Sequence, residues 1–312
     1  MSTFDPDALE CLAAIMEEGS FDRAAQRLAI TQSAVSQRLR SLEDQVGTVL
    51  LVRSRPIQAT RAGQLLLKHA LQTRLLRADL ALELQQLTPK AGGTMADDER
   101  VAIAINADSI ATWALPALDP WVQQGLGLEI ITDDQDFTAE WLRQGRVLGC
   151  VTTLRTALHS CCVEPLGAMR YVAVAQPQFA ARHCPQGLTR NQFSRLPFVA
   201  FNRKDDLQSE FVARAFGLTQ VRLHQIYVPS TEAQVRAVLA GWGLSVLPEL
   251  KVRALLEAGQ LVAVLPQARF EVNLYWHCWR MASPLLQGLT TSLRAAAQAA
   301  LTHPTDAGEG AN

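Results

Sequence analysis

The chain has 312 residues, of which 48% are apolar, 19% charged and 6% aromatic, and its net charge at neutral pH is -1. This composition is typical of globular proteins and excludes a disordered, collagen-like or disulfide-framework chain. No apolar run approaches the roughly 18 residues needed to cross a bilayer, and the first residues lack the basic and apolar regions of a secretory signal. We therefore expect a cytoplasmic protein with no membrane partner and, at this length, more than one domain.

The small net charge hides an uneven distribution. Residues 20–87 contain ten arginines and lysines but only five acidic residues. A locally positive segment in a chain whose other residues are net negative fits contact with phosphate groups, although a solvated basic surface would give the same pattern.

Helix signals begin close to the N-terminus. Asp5 and Pro6 have the residue types of a helix cap and a first helical position, and apolar residues at helical spacing continue until Gly19. Ser20 then caps a predicted short helix over residues 21–28, whose inner face carries alanines that allow another helix to cross closely.

A third predicted helix runs from its cap at Thr31 to about Val46, and Gly47 ends it. Its apolar positions share one face, whereas hydroxyl, amide and guanidinium groups lie on the other. Two short helices joined by a tight turn, with such groups on the second, are typical of a helix-turn-helix that reads the major groove of double-stranded DNA. A three-helix bundle with a solvated polar face is the alternative. The predicted DNA contacts on this helix are Thr31, Gln32, Ser33, Ser36, Gln37 and Arg40.

The segment after the third helix predicts a small β-ribbon. Residues 49–52 and 57–59 have strand character, and the tip between them is basic and contains a proline. Arg53 and Arg55 on this tip would lie beside the DNA backbone or the minor groove. Residues 1–60 are therefore predicted to form a winged helix-turn-helix domain.

A long helix is predicted over residues 61–87, with Thr60 as its cap. It carries apolar residues along two flanks, and a lone helix cannot bury both, so one flank predicts a homodimer seam. The following residues 88–98 are predicted to be a hinge by composition. The residues assigned to the seam are Leu67, Leu71, Leu75 and Leu82.

From residue 99 to residue 302, apolar β-rich runs alternate with helical patterns, and residues 303–312 are predicted to be a tail. Alternation of this kind predicts an α/β domain with mainly parallel sheets.

Catalytic and metal motifs are missing from the sequence. The six cysteines and six histidines have no metal-ligand spacing, and no phosphate-binding loop, nucleophile elbow or zinc-protease motif occurs. We therefore predict no catalytic residues, no metal and no cofactor. His277 is predicted to be a hydrogen-bonded core residue, and the cysteines to be small buried side chains, with redox sensing by Cys161 and Cys162 as the alternative.

Several runs resemble the DNA-binding module of LysR-type transcriptional regulators. The chain departs from the residues most common in the family at Thr31-Gln-Ser33 and at Leu50-Leu51. At these positions it is similar to the ArgP/IciA subgroup, called LysG in lysine-responsive members. Further matches at residues 106–113, 230–233 and 274–277 extend the resemblance over nearly the whole chain. The runs that carry it in the N-terminal part are Gly19–Leu28, Thr31–Leu39, Leu50–Arg53 and Thr60–Gly63.

The resemblance implies an N-terminal all-α winged helix-turn-helix with a long linker helix, and a C-terminal α/β two-lobed effector domain like periplasmic binding proteins. By chain order, one lobe would comprise about residues 99–172 and 268–302, and the other about 173–267. Such proteins form homodimers and usually homotetramers. They activate a neighbouring gene, often one for a basic amino acid exporter, when lysine or arginine occupies the cleft, and RNA polymerase is a further partner to consider.

The cleft residues follow from the needs of a zwitterionic basic amino acid. Residues 107–109 and 229–231 each follow a predicted strand and begin a helix, where free amides favour the carboxylate of the ligand. Acidic residues at strand ends would meet its cationic groups, although each could also be a cap or a solvated acid, and Arg203 and Lys204 weaken the case for a cationic ligand. The predicted contacts are Asn106, Asp108, Ser109, Asp133, Asp134, Ser230, Thr231 and Glu232.

Two other functions compete with a regulator. An amino-acid-binding protein of the cytoplasm would use the same cleft but would not need the N-terminal module. A chromosome-binding protein would use that module without control by an effector, and a ligand-induced thermal shift would distinguish it from a sensor.

Overall fold

The structure is a computed structural model that describes residues 4–87, 100–132 and 138–302. The predicted hinge, residues 88–98, and the predicted tail, residues 303–312, lie outside the described residues. Of the helices that are described, none is both long and apolar enough to cross a membrane.

The N-terminal part is a winged helix. Its core is formed by the apolar faces of its three helices, together with Leu50, Leu51 and the beginning of the long helix that follows the wing. The wing strands pair antiparallel. The elements are α1 (Pro6–Glu18), α2 (Phe21–Arg27), α3 (Gln32–Val46), β1 (Leu51–Val52) and β2 (Gln58–Ala59).

The three predicted caps of the winged-helix domain occupy their N-cap positions, and two of them make the side-chain bond of a cap. Asp5 Oδ1 accepts from the Asp7 amide at 3.1 Å, and Thr31 Oγ1 accepts from the Ala34 amide at 3.2 Å. Ser20 occupies the cap position of α2, but its hydroxyl makes no capping bond. Only its carbonyl oxygen enters the helix, accepting from the Ala24 amide at 3.0 Å.

The long helix α4 (Arg61–Leu87) has the predicted bounds. Thr60 Oγ1 accepts from the Gly63 amide at 3.2 Å and caps it as predicted. A Cβ at Gly63 would overlap the carbonyl oxygen of Leu50, so α4 begins in direct backbone contact with the wing. The long helix is therefore joined closely to the DNA-binding domain.

The predicted dimer seam is wrong for three of its four residues. Leu67 is buried in the winged-helix core, and Leu71 and Leu75 are buried in the core of the C-terminal domain. Leu82 is partly buried against that core. The C-terminal domain covers this flank of α4, as the hydrogen bond from the Leu285 amide to Asp79 Oδ1 at 2.8 Å illustrates. The opposite flank is exposed along Leu76, Leu80, Leu84 and Leu87.

The C-terminal domain contains a seven-stranded sheet in the order β10-β6-β11-β5-β3-β4, with β9 also paired to β6. The parallel pair β7 and β8 is joined to this sheet by a bridge between Phe198 and Leu244. The strands are β3 (Val101–Ala104), β4 (Leu128–Ile131), β5 (Gly149–Thr152), β6 (Cys161–Ala175), β7 (Pro197–Ala200), β8 (His224–Tyr227), β9 (Ser245–Pro248), β10 (Val262–Ala263) and β11 (Phe270–Trp279).

The prediction of mainly parallel sheets is wrong. Within the sheet, β4 and β5 pair parallel with β3, but every pair that involves β6 or β11 is antiparallel. These two long strands pair with one another over most of their length, and β6 then continues to pair with β9 and β10. Strand pairs of this kind need no crossover helix, and the sequence pattern of alternating helices could not indicate them.

Helices pack on both groups of strands. In one lobe α7 packs near β3 and β5, α12 packs near β6, and α6 packs on α12. In the other lobe α9, α10 and α11 pack near β6, β7 and β9. A π-helical turn, Ile110–Ala114, joins α5 to α6. The helices are α5 (Ala107–Ser109), α6 (Leu115–Gln123), α7 (Thr138–Arg143), α8 (Pro177–His183), α9 (Leu207–Phe216), α10 (Thr231–Leu239), α11 (Glu249–Glu257) and α12 (Pro284–Ala300).

Candidate functional site

The predicted DNA-contacting residues share one exposed face of the winged helix. The start of α3 and the tip of the wing line a common groove, to which Gln32 and Ser36 contribute from the helix and Arg53 and Arg55 from the wing. The side chain of Arg53 also lies 5.1 Å from the centre of the Phe21 ring, a distance at which a cation and an aromatic face attract. The wing is thus held against α2.

The polar groups along α3 divide into two sets. The Thr31 hydroxyl is occupied with the helix cap and lies 3.1 Å from Ser33 Oγ. Ser33, Gln37 and Arg40 are exposed. These three side chains are therefore available to meet base edges.

Several basic residues of this domain form ion pairs with acidic residues of the same domain. Arg38 pairs with Asp7 at 3.0 Å, and Arg27 pairs with Glu17. The positive charge on the outer surface is consequently smaller than the sequence count suggests. Arg40, Arg53 and Arg55 remain exposed on the predicted DNA face.

Arg74 of α4 is almost fully buried against α1. Its guanidinium bonds Glu10 and lies 2.6 Å from Glu17 Oε1. Burial opposes the charge of Arg74, but the two carboxylates more than compensate and raise its pKa. Because Glu17 also pairs with Arg27 of α2, a single ionic network connects the long helix with the helix-turn-helix.

The C-terminal domain contains a cleft of about 530 Å³ between its two lobes, where α5 and the π-helical turn face the start of α10. Its walls are mainly apolar, with Ile110, Leu115 and Phe201 among them. A volume of this order is typical of small-molecule sites, in which a few polar groups orient the ligand. The polar lining residues that the structure describes are Thr112, Thr132, Ser230, Thr231 and Glu232.

The start of α10 supplies the polar end of the cleft. Ser230 Oγ caps the helix by accepting from the Ala233 amide at 3.3 Å, and Thr231 is buried. The backbone amides of the first helical turn favour a negatively charged group. Glu232 is exposed at the cleft and forms an ion pair with Lys251.

Asp108 connects three elements beside the cleft. Its Oδ1 accepts from Thr231 Oγ1 at 2.7 Å, and its Oδ2 accepts from the Tyr171 hydroxyl at 2.8 Å. Burial raises the pKa of Asp108, and nearby Asp205 adds to that effect, whereas the two hydroxyl donors lower it. The carboxyl group therefore holds the two lobes together and is not itself among the residues that line the cleft.

The other predicted effector contacts are placed differently. Asn106 and Ser109 are buried, and Asn106 Oδ1 and Ser109 Oγ have no hydrogen-bond partner among the described residues. Neither residue lines the cleft. Asp133 and Asp134 lie outside the described residues, immediately after Thr132 in the sequence.

Sequence reasoning missed Tyr171. It lies within β6, far from any loop or helix start, and only the packed fold brings its hydroxyl to Asp108. Phe201 and Thr132 were also missed, although each directly follows a strand, β7 and β4 respectively, a position that could have indicated them.

The polar groups of the core have structural roles. His277 Nε2 lies 2.7 Å from the Leu154 carbonyl oxygen, which confirms the prediction of a hydrogen-bonded core residue, and burial lowers its pKa. Cys162 is only partly buried, whereas Cys161 is buried and its pKa is raised as a result. Among the described residues, no group of histidines, cysteines or acids is arranged to hold a metal.

A winged helix, a long connecting helix and a two-lobed α/β domain with a cleft together define a DNA-binding protein with a ligand-binding domain. Residues 6–64 match the model of the bacterial regulatory helix-turn-helix protein, lysR family, and residues 96–298 match the LysR substrate binding domain. The chain therefore belongs to the LysR family of transcriptional regulators.

Similar proteins include members named ArgP and LysG. The chain is 43% identical over 280 residues to the HTH-type transcriptional regulator ArgP of Aeromonas salmonicida, covering 89% of this chain and 92% of the relative. The crystal structure of ArgP from Mycobacterium tuberculosis has 41% identity and a TM-score of 0.77, covering 97% of this chain and 100% of that one. Full-length LysG from Corynebacterium glutamicum with bound effector Arg has 35% identity and a TM-score of 0.69. The match covers 96% of this chain and 99% of that one. The Aeromonas salmonicida relative is named as a transcriptional regulator.

Proposed function

We propose that this protein regulates transcription in response to a basic amino acid, arginine or lysine, that binds in the cleft between the two lobes. The observation that carries the proposal is the cleft itself, in which the amides of the α10 start lie beside a carboxylate, Glu232. A zwitterion with a cationic side chain requires both kinds of group. The solved structure of LysG with bound effector Arg supports the same class of ligand.

In the proposed complex, the ligand carboxylate meets the amides and hydroxyls of Ser230 and Thr231. The cationic end extends toward Glu232, and Asp133 and Asp134 remain proposed contacts. Asp108 acts through Thr231, because its own oxygens accept hydrogen bonds from Thr231 and Tyr171. Asn106 precedes α5 and Ser109 is its last residue, and both are proposed to position this helix beside the cleft.

The proposed DNA complex places the start of α3 in the major groove. Ser33, Ser36, Gln37 and Arg40 read base edges there, while Thr31 and Gln32 position the helix and Arg53 and Arg55 hold phosphates. Because the target is chromosomal DNA, the proposed place of action is the cytoplasm. The regulated gene would be an exporter of basic amino acids, activated together with RNA polymerase.

The proposed dimer uses the exposed flank of α4. Leu76, Leu80, Leu84 and Leu87 follow one another at helical spacing, and their exposure in a single chain leaves a continuous apolar stripe. A second copy of α4 would cover it, and two such dimers would make the proposed homotetramer. This stripe replaces the one predicted from the sequence.

Titration calorimetry of the full-length protein tests the effector. Arginine and lysine should bind with saturable heat, whereas citrulline, which keeps the length of arginine without its charge, should bind at least about tenfold more weakly. Glu232→Gln should reduce this preference, and Glu257→Gln, an exposed glutamate at the end of α11, serves as the control. Clear binding of a neutral or acidic metabolite without binding of arginine or lysine would reject the basic effector.

A further inference from the structure

A second cavity lies at the junction between α4 and the lobe that contains β5. It has a volume of about 320 Å³ and shares no lining residue with the interlobe cleft. Its apolar walls are formed by Leu65 of α4 and by Leu142, Leu158 and the Trp279 indole of the C-terminal domain. A ligand in this cavity would therefore touch both domains.

The arginine, lysine and histidine side chains in the described lining of this cavity have no acidic residue among them. Arg61, Lys68, Arg143 and His159 line it, and its described lining includes no carboxylate. Arg143 pairs with Glu140 at 3.4 Å. Positive groups collected around a partly closed, apolar-walled space attract an anion more strongly than the same groups on an open surface would.

Lys68 is the central basic group. Its ammonium lies 5.3 Å from the centre of the Trp279 ring, so charge and aromatic surface occur side by side. Burial raises the pKa of the Cys161 thiol in the same wall, and the charge of Lys68 opposes that rise.

The rim of the cavity is fixed by a close backbone contact. Gly145 adopts a left-handed conformation, with φ of +69°, and a Cβ there would lie 3.3 Å from both the Gln64 carbonyl oxygen and the Lys68 amide nitrogen. The loop and α4 touch at this point, so the two walls are held at a defined separation.

We propose that this cavity is a second binding site, for a small aromatic carboxylate. The carboxylate would lie between Lys68 and Arg61, and the flat ring would pack on Trp279. This chemistry differs from that of the cleft, which is proposed to take a zwitterion with a cationic side chain. A bound ligand would contact both α4 and the lobe that contains β5. It would therefore act on the connection between the winged-helix domain and the C-terminal domain.

The test uses benzoate as the probe and neutral benzamide, which has nearly the same shape, as its partner. Both are titrated into the full-length protein with arginine present at saturation, so that the cleft is filled, and binding is followed by saturation-transfer NMR. Benzoate should bind saturably, and benzamide should bind at least about tenfold more weakly. Equal binding of the two probes, or no saturable benzoate binding below about 10 mM, would overturn the proposal.

Lys68→Gln locates the probe. It should weaken benzoate binding about tenfold or more, whereas Arg190→Gln, which removes an exposed arginine outside this cavity, should leave it unchanged. Undiminished benzoate binding by Lys68→Gln would place the probe elsewhere and refute the site. Calorimetry with arginine checks that each variant is folded, and Arg61→Gln takes the place of Lys68→Gln if the latter fails that check.

Discussion

Asp108 and Thr231 are joined by a hydrogen bond of 2.7 Å that connects α5 with the first turn of α10. The same carboxyl group accepts from Tyr171 of β6, so one partly buried acid contacts both sides of the cleft and the strand that passes between the lobes. Burial makes its charged form costly, and this cost has consequences for both stability and binding.

The first prediction concerns the pH dependence of stability. Because the pKa of Asp108 is raised in the folded protein, its contribution to the unfolding free energy is fully present below the ordinary pKa of aspartate and is lost as the pH rises through the folded value. Asp108→Asn removes this fall. The unfolding free energy of the variant minus that of wild type should therefore be larger at neutral pH than at about pH 4. Urea unfolding of both proteins across this range measures the difference. Parallel stability profiles would contradict it.

The second prediction is that the same change weakens ligand binding. Asparagine keeps the shape and can still bond Thr231, but it cannot take the negative charge that the Asp108 carboxyl group can carry beside the cleft. Arginine affinity should fall about tenfold, and citrulline affinity should fall less. Asp206→Asn, at an exposed aspartate that makes no side-chain cap on α9, is the control. Calorimetry that finds equal losses for both ligands would show that the Asp108 charge plays no part in recognition.

A third prediction separates base reading from backbone binding. Gln37→Ala should relax sequence preference at one position of each half-site, because a bidentate amide contact is lost. Arg53→Ala should weaken binding to all sequences alike and lower the slope of log affinity against log salt by about one unit. Competition assays with operator and random DNA at several salt concentrations provide both readouts. A similar loss of specificity from the two variants would remove the division of roles.

The fourth prediction contrasts the two flanks of α4. Leu80→Glu with Leu84→Glu places charge on the exposed stripe, so the protein should stay folded, sediment as a monomer and bind DNA more weakly. Leu71→Glu with Leu75→Glu buries charge in the chain's own core and should destabilise the fold itself. Sedimentation and thermal unfolding distinguish these outcomes. An intact dimer in the first variant would assign the interface to another surface.

The case of α4 shows what sequence can and cannot establish. Apolar spacing predicts the helix from residue 61 to residue 87, because local periodicity determines a helix. Which apolar flank faces a second copy depends on where the C-terminal domain packs, and Leu71 and Leu75 meet residues far away in sequence. The flank was therefore assigned wrongly.

The same distinction applies to the cleft. Ser230, Thr231 and Glu232 could be predicted because they follow a strand and begin a helix, a local signal that the structure places at the cavity. Tyr171 could not, since a tyrosine inside a strand has no local feature that connects it with Asp108, 63 residues earlier. The antiparallel pairing of β6 with β11 is likewise a long-range property.

The ion pairs of Arg74 with Glu10 and Glu17 fix the winged helix against α4, so that the two move as one rigid unit. In the proposed dimer, the distance between the two recognition helices is then set by the protein and does not adjust to the DNA. The spacing of the two operator half-sites must match that distance. Half-sites moved apart by half a turn of the duplex, about five base pairs, would present one of the two recognition helices with the wrong side of the DNA.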